Sequence, residues 1–207
     1  GELNTTGQRN VFLGTFAGDA NTEGQQNTAL GRGALTSDTL GSRSVAVGTD
    51  ALSLQNFTTA SNTYNTAVGH SAGGAVTTGT DNVLIGGLAG DSLTDADFNV
   101  AIGTSALGAD TLGSRSIAIG VSALAAQNFT TATDAYNVAV GTLAGLSVTT
   151  AINNVLLGGL AGDALQAASD NTAVGYLALS ANCGNDNVAL GKEALENTTG
   201  GGNVAVG

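Results

Sequence analysis

Short apolar tracts recur along the chain, each with Asn or Ser on its left and Gly on its right. Representative tracts are 65–69 (NTAVG), 99–103 (NVAIG) and 116–120 (SIAIG). Each tract is rich in β-branched side chains that alternate with Ala, and the closing Gly ends the run. This is the pattern of a short, partly buried β-strand followed by a turn. The chain is therefore predicted to be all-β, with one short strand in each tract.

The closing Gly returns at nearly constant intervals over the whole chain. It occupies Gly14, Gly31, Gly48, Gly69, Gly86, Gly103, Gly120, Gly141, Gly158, Gly175, Gly191 and Gly207, so twelve copies fill the chain. Two of the steps between them are longer than the rest, and the last two are slightly shorter. Such a step is too short for a helix pair or a propeller blade. We therefore predict a parallel β-roll, or β-solenoid, of about twelve 16–21-residue coils, about 55 Å long at a strand spacing of about 4.8 Å.

The coils themselves are grouped in a longer repeat of four. Residues 82–91 (NVLIGGLAGD) return almost unchanged as residues 154–163 (NVLLGGLAGD). The sequence thus predicts a single repeat domain over 1–207 with superrepeats 10–81, 82–153 and a partial 154–207. Because the chain stops at Gly207 within a motif, we expect it to be a fragment of a longer fibre protein.

Alternation within each strand places its residues on two faces. Residues two apart share a face, so Val100 and Ile102 point one way while Asn99 and Ala101 point the other. The position two after the Asn is assigned to core or trimer packing, and its residues include Ala46, Ala67, Ala101, Ala118, Ala139, Ala173, Phe12, Leu84 and Leu156. An outer sheet face would show polar residues there. We therefore expect a second copy of the chain to cover this Ala face.

The recurring Asn has two interpretations that the sequence leaves open. Stacked one coil apart, the amide side chains can hydrogen-bond in a ladder. Alternatively, each Asn only turns the chain into its strand. Ser44 and Ser116 replace the Asn in the coils that precede the two longest steps.

Composition and charge narrow the classes of function. The chain has 32 Gly, no Pro and only 10% charged residues, whereas ordinary domains carry about 25% charged residues. The formal net charge of −11 argues against nucleic acid or an anionic membrane surface as a partner. No apolar run approaches the roughly 20 residues that cross a bilayer, so we expect no direct membrane insertion.

Several tracts resemble a known family of fibrous proteins. Residues 44–48 (SVAVG), 116–120 (SIAIG) and 99–106 (NVAIGTSA) resemble the YadA-like head repeat of trimeric autotransporter adhesins. Residues 171–179 (NTAVGYLAL) and 197–207 (NTTGGGNVAVG) are similar to repeats of phage-type tail fibres and related bacterial fibre proteins. The resemblance implies a left-handed β-roll, a homotrimer about the fibre axis, an extracellular location on a cell surface or virion, and a role in attachment.

The two longest coils supply the candidate ligand contacts. Residues 55–64 (QNFTTASNTY) and 127–136 (QNFTTATDAY) contain Phe57, Tyr64, Phe129 and Tyr136. Projecting loops on a rigid scaffold commonly carry recognition, and aromatic rings beside Asn, Gln and Thr suit sugars. The alternative is that these loops fold back and bury Phe as a plug.

Two arginines in identical GSRS tracts are further candidate contacts. Arg43 and Arg115 are two of the five Lys and Arg residues in the chain. They could hold an acidic ligand, but pairing with a neighbouring Asp is favoured in so acidic a chain.

No residue pattern indicates catalysis, a cofactor or a metal site. An enzyme on this scaffold needs clustered carboxylates or basic residues that break the repeat. Asp19, Asp91 and Asp163 recur in turn positions, His70 is alone, and Cys183 is interpreted as a small core residue. We therefore predict a non-enzymatic adhesin or fibre segment that binds a cell-surface glycan or another surface receptor. The alternative is a structural shaft of a tail-fibre-like protein, with recognition in a separate tip domain.

Overall fold

Each apolar tract forms a three-residue strand that ends at its closing Gly. The computed structural model describes residues 3–207, so residues 1 and 2 of the predicted domain lie outside the described part. The strands are β1 (Val11–Leu13), β2 (Thr28–Leu30), β3 (Gly41–Ser42), β4 (Val45–Val47), β5 (Ser61–Asn62), β6 (Thr66–Val68), β7 (Val83–Ile85), β8 (Val100–Ile102), β9 (Gly113–Ser114), β10 (Ile117–Ile119), β11 (Thr133–Asp134), β12 (Val138–Val140), β13 (Val155–Leu157), β14 (Thr172–Val174), β15 (Val188–Leu190) and β16 (Val204–Val206).

The long strands stack in parallel, one coil above the next. They form a 12-stranded sheet in the order β1-β2-β4-β6-β7-β8-β10-β12-β13-β14-β15-β16. Equivalent positions pair, so Ala101 lies opposite Ala118. The remaining strands form the two-stranded parallel sheets β3–β5 and β9–β11, in which β5 and β11 belong to the two longest coils. The predictions of an all-β chain, one strand per tract and about twelve stacked coils are confirmed.

The closing Gly is required by its conformation and by the next coil. Gly103 has a φ of +131°, and a Cβ on it would lie 2.5 Å from the carbonyl oxygen of Gly120. No side chain fits at that separation, and residues other than Gly rarely adopt this φ. The tight stacking of one coil on the next therefore explains why the Gly recurs in every coil.

The core is the interior of the chain's own coils. The strand positions two after the Asn are fully buried there, as Ala46, Ala67, Ala101, Ala118, Ala139, Ala173, Leu84 and Leu156. Phe12 is partly buried and packs against the same core. The expectation that a second copy covers this face is therefore wrong. The coil is narrow, so Ala side chains fill its interior and need no partner chain.

The recurring Asn residues form a ladder in which most hydrogen bonds join a side-chain amide to backbone groups of the neighbouring coils. The Nδ2 of Asn99 donates to the carbonyl of Gly113 at 2.9 Å, and its Oδ1 accepts from the backbone N–H of Ser116 at 2.9 Å. Its own backbone N–H donates to Oδ1 of Asn82 at 3.0 Å. Asn99 thus bonds both neighbouring coils. The predicted bonds from amide to amide form in some coils only, as between Asn82 Nδ2 and Asn65 Oδ1 at 3.3 Å, so the ladder is confirmed in part and its other bonds go to the backbone.

Candidate functional site

A buried polar network fixes the first of the two longest coils. The Nε2 of Gln55 donates to Asp38 Oδ2 at 2.5 Å and to Ser44 Oγ at 2.9 Å. Its Oε1 accepts from Asn65 Nδ2 at 2.8 Å. The amide of Gln55 thus links Ser44 to Asn65 of the next coil, so buried polar side chains still connect the two coils where Ser44 replaces the Asn.

Asp38 is the anchor of this network. It is fully buried, and its Oδ1 accepts from the backbone N–H groups of Gly41 at 3.0 Å and Phe57 at 3.1 Å. Burial raises the pKa of the Asp38 carboxyl, against the opposing effect of its hydrogen bond from Gln55. The second superrepeat repeats the arrangement, with Gln127 Nε2 donating to Asp110 Oδ2 at 2.6 Å. These residues hold the loops in place; the sequence prediction did not identify Asp38 or Asp110.

The aromatic residues of the two loops separate into buried and exposed pairs. Phe57 and Phe129 are only 7% and 6% exposed, whereas Tyr64 and Tyr136 are 48% and 52% exposed. The expectation that the two phenylalanines are ligand contacts is therefore corrected: their rings close the coil and present almost no surface. The tyrosines remain available on the outside.

The two arginines from the identical GSRS tracts have different surroundings. The Nε of Arg115 lies 3.0 Å from Asp134 Oδ1, and Tyr136 donates its hydroxyl to Asp134 Oδ2 at 3.3 Å. The guanidinium of Arg115 also lies over the ring of Phe98, 4.7 Å from its centroid. The expected pairing with a neighbouring Asp is confirmed for Arg115.

Arg43 instead has only neutral partners. Its Nε donates to Gln26 Oε1 at 3.0 Å, its Nη1 donates to the hydroxyl of Tyr64, and its guanidinium lies 5.4 Å from the Tyr64 ring centroid. Within residues 3–207, no carboxylate forms an ion pair with Arg43. The expected Asp pairing does not form at this arginine.

A surface cleft of about 250 Å³ opens beside Arg43, and we call it the Arg43 cleft. The parallel pair β3–β5 contributes Ser42, Ser61 and Asn62 to its wall. The complete lining is Gln25, Gln26, Ser42, Arg43, Ala60, Ser61 and Asn62. The cleft therefore combines one cation with amide and hydroxyl groups, which can donate or accept hydrogen bonds.

The outward side of the long sheet is a second candidate surface, which we call the outer strand face. It consists of the first and third residues of the twelve long strands, all Val, Ile or Leu except Thr28, Thr66 and Thr172. Even in the middle of the stack Ile85 and Val140 are each 37% exposed. The exposed apolar surface is thus on the side of the sheet opposite to the Ala face, where the sequence analysis expected it.

The remaining candidate residues do not assemble into a further site. Across the described residues, no three His, Cys, Asp or Glu side chains are grouped so that they could hold a metal ion. His70 is exposed, and Cys183 is buried with its Sγ 3.4 Å from Nδ2 of Asn187. Desolvation raises the pKa values of Asp91 and Asp163. None of residues 3–207 belongs to a helix long and apolar enough to span a membrane.

One regular feature escaped the sequence prediction. Thr hydroxyls in successive coils donate to the carbonyl of the following coil, as Thr77 does to Thr94 at 3.1 Å and Thr94 does to Thr111 at 3.1 Å. Their regular spacing is visible in the sequence, but neighbouring Thr residues hide it. The hydroxyls reinforce the stacking of the coils, parallel to the Asn ladder.

Comparison with known proteins gives no relative from which a function could be transferred. No family model, no curated protein and no solved structure matches the chain. Its function is therefore inferred from the outer strand face and the Arg43 cleft.

Proposed function

We propose that this chain is a segment of a homotrimeric, extracellular fibre that attaches to a cell surface, with a glycan as the most direct receptor. The proposed trimer consists of three left-handed β-rolls side by side about the fibre axis. The observation that carries the proposal is the outer strand face, a continuous apolar surface that runs along the 12-stranded sheet.

Another copy of the same chain is the partner that suits this face best. Soluble monomers rarely expose contiguous apolar patches larger than a few hundred Å², and this surface continues through every coil. Its side chains are spaced along the stack at the strand separation of about 4.8 Å. A second roll has the same spacing, so side chains of one copy can fit between those of another over the whole length. The choice of three copies and the left-handed winding follow the resemblance to YadA-like heads.

Attachment is supported by what the rigid stack displays. Tyr64 and Tyr136 are about half exposed on loops that buried Gln and Asp side chains hold in place. Exposed aromatic rings next to amide and hydroxyl groups suit the apolar faces and hydroxyls of sugars. The proposed role involves no catalytic step.

A structural shaft is the second candidate function. It is favoured by the uniformity of the coils, because the two-stranded sheets β3–β5 and β9–β11 are the only additions to the long sheet in the described part of the chain. In that case a different domain of the parent fibre would bind the receptor.

A binding assay on whole cells and a glycan array separates the two candidates. The purified segment, with its oligomeric state checked in the same preparation, is compared with a Tyr64→Ser, Tyr136→Ser variant. An attachment segment binds cells as a trimer and loses binding in the variant at unchanged thermal stability. A folded trimer that binds no cell and no glycan is a shaft, and that result overturns the attachment role.

A further inference from the structure

We propose that the Arg43 cleft binds an acidic sugar, with the guanidinium of Arg43 holding its carboxylate or sulfate group. This inference rests on the proposed attachment function and names the class of glycan. The position equivalent to Arg43 in the second superrepeat is Arg115, whose neighbourhood differs in ways that make it a natural control.

Arg43 has hydrogen-bonding capacity to spare. A guanidinium has five N–H donors, and the observed bonds to Gln26 and Tyr64 use Nε and one donor of Nη1. Those two bonds also fix the plane of the guanidinium beside the cleft. A planar guanidinium with free donors suits an oxyanion, to which it can donate two parallel hydrogen bonds.

Arg43 stands in a column of equivalent positions that runs along the stack. Arg9, Gln26, Arg43, Tyr64 and Asp81 occupy this position in five successive coils, each with a left-handed φ between 50° and 67°. Arg9 and Asp81 each lie two coils from Arg43, about 10 Å away at the strand separation of about 4.8 Å, which is beyond a Debye length of about 8 Å at physiological salt. Their opposite charges also lie on opposite sides of Arg43. The charge that decides which ligand the cleft prefers is therefore that of Arg43 itself, the charged residue of the lining.

The second superrepeat shows the same scaffold with an internal anion already in place. At its equivalent positions, Asp97 replaces Gln25, Phe98 replaces Gln26 and Asp134 replaces Asn62. Asp134 pairs with Arg115, and Phe98 lies against the same guanidinium. The second superrepeat thus supplies the carboxylate of Asp134 to its arginine. The first superrepeat has the neutral Asn62 at that position, and the cleft beside Arg43 is open. The carboxylate of a ligand would take the place of Asp134.

The remaining lining groups fit a sugar rather than a simple anion. Gln25 and Asn62 carry exposed amides, and Ser61 contributes a hydroxyl to the wall of the cleft. These neutral groups can pair with ring hydroxyls, while the Tyr64 ring offers an apolar surface beside Arg43. A charged group flanked by hydroxyls is what an acidic sugar presents.

Calorimetric titration of the intact segment tests the inference. The probes are an oligosaccharide of alternating uronic acid and N-acetylhexosamine, its sulfated counterpart, and a neutral oligoglucose. Two variants remove the site: Arg43→Gln copies the residue at the same position of the preceding coil, and Asn62→Asp copies the second superrepeat. We expect each variant to weaken binding of an acidic oligosaccharide at least about tenfold. Arg43→Gln removes the cation that pairs with the ligand, and in Asn62→Asp the new carboxylate pairs with Arg43 in place of the ligand.

A gain of binding provides the matched control. The triple variant Asp97→Gln, Phe98→Gln, Asp134→Asn gives the second superrepeat the lining of the first except at Thr133, which has a hydroxyl where the first superrepeat has that of Ser61. We expect it to double the number of acidic oligosaccharides bound per chain. The uronic and the sulfated probes show which oxyanion the site prefers, and stronger binding of either supports the inference.

Three results would overturn the inference. These are equal affinity for the neutral oligoglucose, binding of acidic probes that is unchanged by Arg43→Gln and Asn62→Asp, and no binding of acidic probes. A segment that binds cells yet gives any of these results retains the attachment function and loses only the acidic-sugar site. A segment that binds no cell loses the attachment function itself.

Discussion

Leu84 occupies the space that a side chain at Gly73 would need. A Cβ on Gly73 would lie 2.6 Å from Leu84 Cδ1, and a Cβ on Gly90 would lie 2.8 Å from Leu84 Cδ2. In the next coil the relation is reversed, since Ala101 holds the strand position and Leu107 holds the turn position equivalent to Gly90. In each of these two coils one large side chain fills the core, from the strand in one coil and from the turn in the other.

This exchange of volume predicts an energetic coupling between the two positions. Leu84→Ala should destabilise the fold by about 3 kcal/mol because it leaves a cavity, and Gly73→Ala should destabilise it because the new methyl group meets Leu84. We expect the double variant to lose less than the sum of the two, by at least about 1 kcal/mol. Urea unfolding at one protein concentration measures the four stabilities.

Gly74→Ala is the matched control for that cycle. A Cβ on Gly74 would have Ser71 as its nearest neighbour and would not contact Leu84. Its effect should add to that of Leu84→Ala. Strict additivity for Gly73→Ala as well would contradict the proposed exchange of volume.

Two adjacent glycines should respond very differently to the same substitution. Gly86 has a φ of +133°, and a Cβ there would lie 2.7 Å from the carbonyl of Gly103, whereas a Cβ on Gly87 would meet nothing within 4 Å. Gly86→Ala should cost at least about 2 kcal/mol from backbone strain and the clash with the next coil. Gly87→Ala should leave the melting temperature unchanged or slightly higher. Equal melting temperatures for the two variants would show that coil stacking does not require the closing Gly.

The Asn ladder should contribute to stability in each coil. Asn99→Ala leaves the N–H of Ser116 and the carbonyl of Gly113 without their side-chain partner in a buried position. We expect a loss of about 3 kcal/mol or more, since each unsatisfied buried group costs about 1–3 kcal/mol. Asn10→Ala, where the side chain is only partly buried, should cost less. Equal losses at both positions, measured by urea unfolding, would argue that burial does not set the strength of the ladder.

Asp38 should make the fold less stable as the pH rises. Burial raises its pKa above the ordinary value of 3.8, so above pH 3.8 the folded state retains a proton that the unfolded state releases. Stability therefore falls as pH increases through the interval between the unfolded and the folded pKa. Asp38→Asn lacks this dependence, and any fixed cost of the new amide does not vary with pH.

Urea unfolding of both proteins from below pH 3.8 to neutral pH measures this effect. We expect the stability of the parent chain relative to Asp38→Asn to decrease with increasing pH. Asp91 and Asp163 are present in both proteins, so their contributions cancel in the difference. A difference that is constant or increases with pH would contradict the expected direction.

The coil architecture could be predicted from the sequence because every coil needs the same few contacts. The close approach of neighbouring coils requires the closing Gly, and the ladder requires the Asn. Their spacing in the sequence therefore gives the positions of the strands directly. The orientation of the strand could not be predicted in the same way. Val and Ile usually mark a buried face, yet here Ala101 is inside and Val100 and Ile102 face outward, because the coil interior is too narrow for a full set of large side chains.

The candidate site was only partly predictable for a related reason. Arg43 and Arg115 have the same local sequence, and their difference depends on Asn62 and Asp134. Those two residues belong to the following coil and become neighbours only through the pairing of β3 with β5 and β9 with β11. The buried network around Asp38 holds the loop in which Phe57 is buried and Tyr64 is exposed. The alternation of apolar and polar residues in the loop does not show which of these aromatic residues is buried.

The outer strand face is proposed to join three copies of the chain. Light scattering coupled to size-exclusion chromatography measures the mass of the parent segment and of two variants. Ile85→Asp places a charge on the outer strand face, and Thr131→Asp places the same charge at an exposed loop position as the control. Three chains of 20.0 kDa should associate in the parent and in Thr131→Asp, and Ile85→Asp should dissociate toward the single-chain mass. A folded parent segment with the mass of one chain would contradict the proposed association through the outer strand face.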